Sequence, residues 1–366
     1  MWSIRPILLS TVLCLLGLHL SLSECRAQQM TDDANHSEWI LAVDEYCPAP
    51  GQFVGLLPPY TDGDTPEAMA QKCTRAIGGP IGATAEDDMV SMISLGSWGG
   101  YVTFHFDHSI ANIEGQRDFY IAGNAFEGSS EPGIVMVMKD ENRNGLPDDT
   151  WYELSGSADV DSVGKVRYQY EVTYIANTMD DIPWTDNQGQ TGVVPRNPFH
   201  EDNEYFPLWV ASPLTLSGTR LPDNVYLASK RPKTYAMRAL RYGYADNLAN
   251  TDTEGCSFDI GWAVDNQRQP VRLDFIDFVR VYTGTLQVVS AAVGESSTEL
   301  QGARDLHLSE SIAAIGHATG IMKNGNDKSL KINTWHDLTG RTMNGKRKGI
   351  SIVRLNNGQI RKILIK

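Results

Sequence analysis

Val135-Met136-Val137-Met138 is followed by Lys139-Asp140-Glu141-Asn142-Arg143-Asn144-Gly145-Leu146-Pro147-Asp148-Asp149-Thr150 and then by Trp151-Tyr152-Glu153-Leu154. Two short apolar and aromatic runs flank a segment of Asp, Asn, Gly and Pro, which is the pattern of two strands joined by a polar loop. The loop has a spacing of its own. Oxygen-bearing side chains fall at Asp140, Asn142, Asn144 and Asp148, and Gly145 and Leu146 follow the third of them. In a calcium loop these are the ligand positions, with Gly at the sharp turn and the next residue offering its carbonyl. Calcium takes about six to eight oxygens, and alternate residues of a tight loop aim theirs at one centre. The helix-loop-helix version ends on a bidentate Glu, where this chain has Trp151, so Asp149 is the expected substitute. Strands rather than helices flank the loop. The expectation is therefore a calcium-stiffened connection between two strands, set against a plain Asn/Asp/Gly turn without metal.

The same texture continues outward. Strand-like runs occur at 90–95, 101–106, 118–123, 167–174, 224–227 and 275–282, punctuated by Gly, Asn, Asp and Pro. One helix is expected near 65–75, where Thr65 can cap, Pro66 takes the first helical position and Glu67 lies in the first turn. Many short strands and few helical periods predict an all-β protein, a β-sandwich or jelly roll with long loops. The long polar excursions are 177–204 and 245–254. The expected organisation is a leader at 1–27, a sandwich domain at 28–290, a linker at 291–321 and a small β domain at 322–366.

The leader has Arg5, an apolar stretch from Ile7 to Leu22, and Cys25-Arg26-Ala27 before Gln28, which reads as a secretory signal peptide. Lipoprotein processing at Cys25 is disfavoured because Glu24 stands where a small residue is wanted. Export to an extracellular or outer-surface location follows as an expectation. Net charge of −14 argues against nucleic-acid binding, which needs a basic footprint. Past the leader three cysteines remain, Cys47, Cys73 and Cys256. Pairing Cys47 with Cys73 would close a loop of about 25 residues and stabilise by roughly 3 kcal/mol in the entropic account.

The tail reverses the charge: residues 322–366 hold eleven basic residues against two acidic ones. Its segments Asp337-Leu338-Thr339-Gly340-Arg341, Lys348-Gly349-Ile350-Ser351-Ile352-Val353, Asn357-Gly358 and Lys362-Ile363-Leu364-Ile365-Lys366 resemble a type A sorting domain of the type IX secretion system of Bacteroidetes. That resemblance implies export across the outer membrane by the type IX machinery. The body, roughly 40–290, resembles a family of Bacteroidetes cell-surface proteins of unassigned activity. The resemblance rests on 45–54 (Glu45 to Val54), 94–101 (Ser94 to Tyr101), 119–126 with 131–135, 144–154, 183–187, 243–247 and 276–281. Proteins of this kind accompany outer-membrane uptake systems, cobalamin uptake among them, which implies an outer-membrane transporter as partner.

The sequence carries no Gly-x-Ser-x-Gly elbow, no His-Glu-x-x-His and no phosphate loop. His105 and Asp107 share a strand face and read as a sheet-surface pair. A secreted carbohydrate-active hydrolase would need two facing carboxylates, for which Glu127, Glu131 and Asp140 are the first to weigh. Two further acidic clusters stand out, Asp180, Asp181, Asp186 and Asn187 around Trp184, and Asp246-Asn247 with Asp252 and Asp259. Aromatic rings beside polar turn residues (Trp98, Tyr101, Trp151, Trp184, Tyr205, Trp209, Tyr242, Tyr244) suit a sugar or a large planar ligand, although more than half should plug the sandwich ends. Trp184 and Tyr244 are the expected ligand contacts. The function expected is non-enzymatic capture of a glycan or a cobalamin-like small molecule. A hydrolase and a structural surface protein or adhesin are the alternatives.

Overall fold

The computed structural model describes residues 36–83, 89–201 and 203–318 and, in the tail, 332–336, 342–343, 345, 349–355 and 360–365. The proposed leader at 1–27 lies outside them. The chain divides into two compact units after Leu308.

The first unit is built from short strands. In chain order they begin with β1 (Ala42–Cys47), β2 (Ile93–Ser94), β3 (Tyr101–Ala111), β4 (Phe119–Ala122), β5 (Gly133–Met138) and β6 (Trp151–Leu154). There follow β7 (Arg167–Tyr174), β8 (Ile182–Asp186), β9 (Thr191–Val194), β10 (Leu214–Arg220), β11 (Val225–Lys230), β12 (Lys233–Met237) and β13 (Tyr244–Ala245). The last are β14 (Ser257–Phe258), β15 (Ala263–Val264), β16 (Phe275–Thr283), β17 (Val288–Ser290), β18 (Gly294–Glu295), β19 (Glu299–Leu300) and β20 (Gly302–Asp305). The fold is all-β and sandwich-like, as the strand pattern predicts.

The main sheet runs β1-β3-β16-β5-β6-β15, with β13 added to the start of β5, and every pairing is antiparallel. Alternation gives it two apolar faces. Val102 and Phe104 of β3, Val135 and Val137 of β5, and Val279 and Val281 of β16 enter the larger core. Each such side chain contributes about 1.5–3 kcal/mol on burial. Helix α1 (Pro66–Ile77) closes that core with Met69, Ala70, Cys73 and Ile77. Its start is set as expected: the Thr65 hydroxyl accepts from Ala68 N, and Pro66 opens the helix. On the opposite face a second sheet, β10-β7-β8-β9, packs through Tyr170, Tyr174, Leu214 and Leu216 against Trp98, Ala49 and the half-buried Tyr101 and Cys47.

Three expectations need correction. The excursion at 177–204 contains β8 and β9 of the second sheet, because Ile182 and Val194 face its core across the turn at Asp186. The linker at 291–321 does not begin at 291: β19 pairs with β2 and β20 with β4, so the body runs on to about Leu308. Cys47, Cys73 and Cys256 are all free. Cys73 lies in the helix-side core with Tyr46, whereas Cys47, the next residue along β1, borders the opposite core; strand alternation separates the two thiols.

The second unit begins one residue into helix α2 (Leu308–Ala318) and holds a four-stranded sheet ordered β22-β21-β23-β24, from β21 (Ile332–His336), β22 (Thr342–Met343), β23 (Gly349–Leu355) and β24 (Ile360–Ile365). The two terminal runs pair antiparallel, Ile350 opposite Leu364 and Ile352 opposite Lys362.

Candidate functional site

The loop at 140–149 joins β5 to β6, so the strand flanks are as read from the sequence. Its oxygens turn inward on the loop's own amides. The two Asp140 carboxylate oxygens accept from Asn144 N (3.1 Å) and Gly145 N (2.8 Å), Asn142 Oδ1 accepts from Asn144 N, and Asn144 Oδ1 accepts from Leu146 N. The Asn142 and Asn144 side-chain amides both donate to Asp148. Asp149 caps the amides of Glu141 and Asn142 through one oxygen. Arg143 and Gly145 adopt left-handed backbone at φ 59° and 74°, which curls the chain around these side chains. Asp140, Asn142, Asn144 and Asp148 are thus tied into one hydrogen-bonded loop, with the Asn142 and Asn144 NH2 groups turned toward Asp148. The loop is exposed and is tied to the sheet by Asp277, which accepts from Asp140 N and from the Ser109 hydroxyl.

The two expected ligand contacts do not meet. Tyr244 is 4% exposed; its ring packs against Gly156 and its hydroxyl accepts from Ala158 N, so it is a core residue. Strand β13 pairs with β5 there, and alternation turns the ring inward. Trp184 lies on β8, half-buried at the margin of the second core with its ring over Gly192. Trp98, Tyr205 and Trp209 are also buried. His105 pairs with Asp44 rather than Asp107 (2.8 Å), and Asp107 engages His108 instead (2.6 Å).

Concavity lies elsewhere. Where the second sheet parts from the main one, a cleft of about 450 Å³ opens between Met136, Glu153 and Val264 on one side and Tyr168, Glu171 and Ser217 on the other. Gly218 permits the approach of the sheets beside it, since a Cβ there would stand 2.9 Å from the Tyr282 ring. The floor is a polar network around Glu153. One of its oxygens accepts from the Tyr282 hydroxyl, and the other from the Thr219 hydroxyl and the Arg268 guanidinium. Arg268 also binds Asp159, and it lies over the Tyr168 ring, 4.8 Å from its centre. The Tyr168 hydroxyl donates to Asp159 (2.6 Å); burial and that carboxylate push its pKa up to about 12, which keeps it a neutral donor. Arg268 and Gln169 both line the cleft with left-handed φ of 61° and 52°, conformations that cost energy in residues with side chains. Strain of this kind gathers at binding sites more than elsewhere. Glu171, Gln169, Asn266 and Ser217 stand exposed at its rim.

No signal in the sequence marks this cleft. Glu153 follows the loop in a stretch read only as a strand, and Arg268 sits in a polar turn. The one available hint was Tyr168, exposed and alternating with Tyr170 on β7.

A second set of carboxylates is buried. Oxygens of Glu131, Asp246 and Glu299 lie within 4.8 Å of one another. Asp246 joins these two rather than Asp252 and Asp259. One of its oxygens accepts from Asn124 N and Ala125 N and the other from Glu299 N. Burial pushes Asp246 up to about 7; burial and the Asp246 charge push Glu299 up to about 8. Glu131 is raised well above its usual range by burial and by both neighbours. No family model and no curated protein matches the chain.

Proposed function

We propose that this chain is an exported surface protein that captures a small polar ligand in the cleft between its two sheets, with calcium stiffening the loop at 140–149. The observation that carries the reading is the cleft itself: concave, within the roughly 300–1,000 Å³ range of small-molecule sites, and lined by a few polar groups from strands and from the turn after β15. A neutral Tyr168 hydroxyl, the exposed amides of Gln169 and Asn266 and the Glu171 carboxylate match the hydroxyls of a sugar. The volume, near the low end of that range, favours a glycan unit over a whole cobalamin.

Capture is favoured over hydrolysis because Glu153 spends both oxygens on Tyr282, Thr219 and Arg268, which leaves neither turned toward a glycosidic bond. Export rests on the leader and on the tail's resemblance to a type IX sorting domain; an outer-membrane transporter is the partner that resemblance of the body implies. Calorimetry against a glycan panel and cobalamins tests the reading. The parent should bind one glycan class, Glu171→Ala should weaken it about tenfold, and Ser217→Trp, which fills the cleft from its rim, should abolish it. Binding that survives Ser217→Trp would move the site away from the cleft.

A further inference from the structure

Strands β11 and β12 pair only with each other, as a two-stranded ribbon. Its base is fastened: Met237 N donates to Gly128 O, Arg238 N to Asn224 O, and the Asn224 side chain to Ser130 O. Its far end is basic. Lys230 stands directly opposite Lys233, with Arg231 in the turn between them, and all three are exposed. From Val225 to Arg238 there are four basic residues and no acidic one, in a chain whose net charge is −14. Among the described residues no carboxylate lies within 4.0 Å of any of the four, although twelve ion pairs form elsewhere. Like charges directly opposed on a ribbon destabilise it unless something outside supplies the counter-charge.

The shaft adds a second property. Leu227 and Tyr235 face each other across the strands and are 43% and 37% exposed. Arg238 lies over the Tyr226 ring at 4.5 Å, and Lys233 over Tyr235 at 5.3 Å. A soluble polyanion would engage the cations and leave Leu227 in water. The headgroup region of a bilayer takes both, since phosphates meet the tip while the aliphatic and aromatic groups enter the interface and the lysine stems lie alongside them.

We infer that the β11–β12 ribbon docks on an anionic, phosphate-bearing lipid surface, with Lys230, Arg231 and Lys233 contacting the headgroups and Leu227 and Tyr235 seated at the interface. The acidic remainder of the body is repelled from such a surface, so the ribbon also fixes which way the unit faces.

Hydrogen exchange on the full chain tests this locally, because the basic tail can also bring the protein to a vesicle. With vesicles of 30% phosphatidylglycerol in phosphatidylcholine at low salt, amides over 225–237 should exchange several-fold more slowly, and pure phosphatidylcholine should leave them unchanged. Replacing Lys230, Arg231 and Lys233 together by Gln should remove that protection and weaken vesicle binding by up to about a hundredfold, at a melting temperature no lower than the parent's. Leu227→Ser should weaken it less. Three results would each overturn the inference: no protection with anionic vesicles, equal protection with neutral ones, or protection by heparin as strong as by vesicles, which would assign the ribbon to acidic polysaccharide.

Discussion

The loop at 140–149 and the carboxylates of Glu131, Asp246 and Glu299 both crowd negative charge, and they relieve it in opposite ways. In the loop the residues are sequence neighbours, the site is exposed, and the acidic oxygens are met by amides of the same ten residues. In the buried cluster the residues come from three distant segments, and no basic side chain pairs with them among the described residues. Water and a mobile cation can serve the first. The second is served by backbone amides and by keeping protons, which is why Asp246 and Glu299 rise to about 7 and 8. Solvent access, more than the number of acids, decides which remedy a protein uses.

The largest expected effect comes from breaking the buried side. Asp246→Ala leaves the amides of Asn124, Ala125 and Glu299 without acceptors. Buried unsatisfied donors cost about 1–3 kcal/mol each, so urea denaturation should show a loss of about 4 kcal/mol. Asp246→Asn keeps one acceptor oxygen and should cost about half as much. Equal losses for the two variants would mean that the amides do not depend on Asp246.

Acidity separates the regions next. A carboxyl whose folded pKa lies above its unfolded value near 4 holds a proton that the unfolded chain has released. Its contribution is complete below about pH 4 and is lost as pH rises through the folded values near 7 and 8. His108 runs the same way. Burial disfavours its charged ring, but Asp305 and Asp107, bonded to its two nitrogens, outweigh burial and raise its pKa. Its stability is present below about 6.5 and is lost above the raised value. Stability at pH 5 should therefore exceed that at pH 8.5 by on the order of 3 kcal/mol. A melting curve flat over this range would show that the buried carboxyls are ionised at neutral pH.

Calcium sharpens the exposed side. At a hundred times its dissociation constant a bound ion adds about 2.7 kcal/mol. Chelation should lower the melting temperature accordingly, and Asp140→Ala with Asp148→Ala should abolish the response. If the double variant responds to chelator as the parent does, the ion sits elsewhere.

These regions also differ in how far the sequence disclosed them. The polar connection at 140–149 and its flanking strands were legible because a local loop carries its geometry in its spacing. The main-sheet strands were legible as the apolar runs 101–106 and 275–282, the first continuing to Ala111 and the second to Thr283, and the helix was legible from its cap. Asp246 meets Glu131 only because β13 adds to the start of β5, and Glu299 joins them through the β2–β19 pair; register between distant strands leaves no mark on spacing. The cleft was hidden for the same reason, since Glu153 and Arg268 lie 115 residues apart. Tyr244 misled because an aromatic beside Gly and Asp looks the same in a turn rim as in a two-residue strand.

The smallest effect isolates backbone from ion. Gly145 has φ 74° and open space where a Cβ would stand, so Gly145→Ala meets no clash. Only the left-handed conformation is penalised, by about 1 kcal/mol. If the loop keeps its shape without help, that cost should appear equally with and without calcium. If an ion holds the curl, it should appear mainly as weaker calcium binding, about fivefold, with the chelated protein nearly as stable as its parent, because the loop there relaxes around the new side chain. Calorimetric titration of calcium into parent and Gly145→Ala distinguishes the two. An identical affinity would show that the oxygens of Asp140 and Asn144 are gathered by their amides alone.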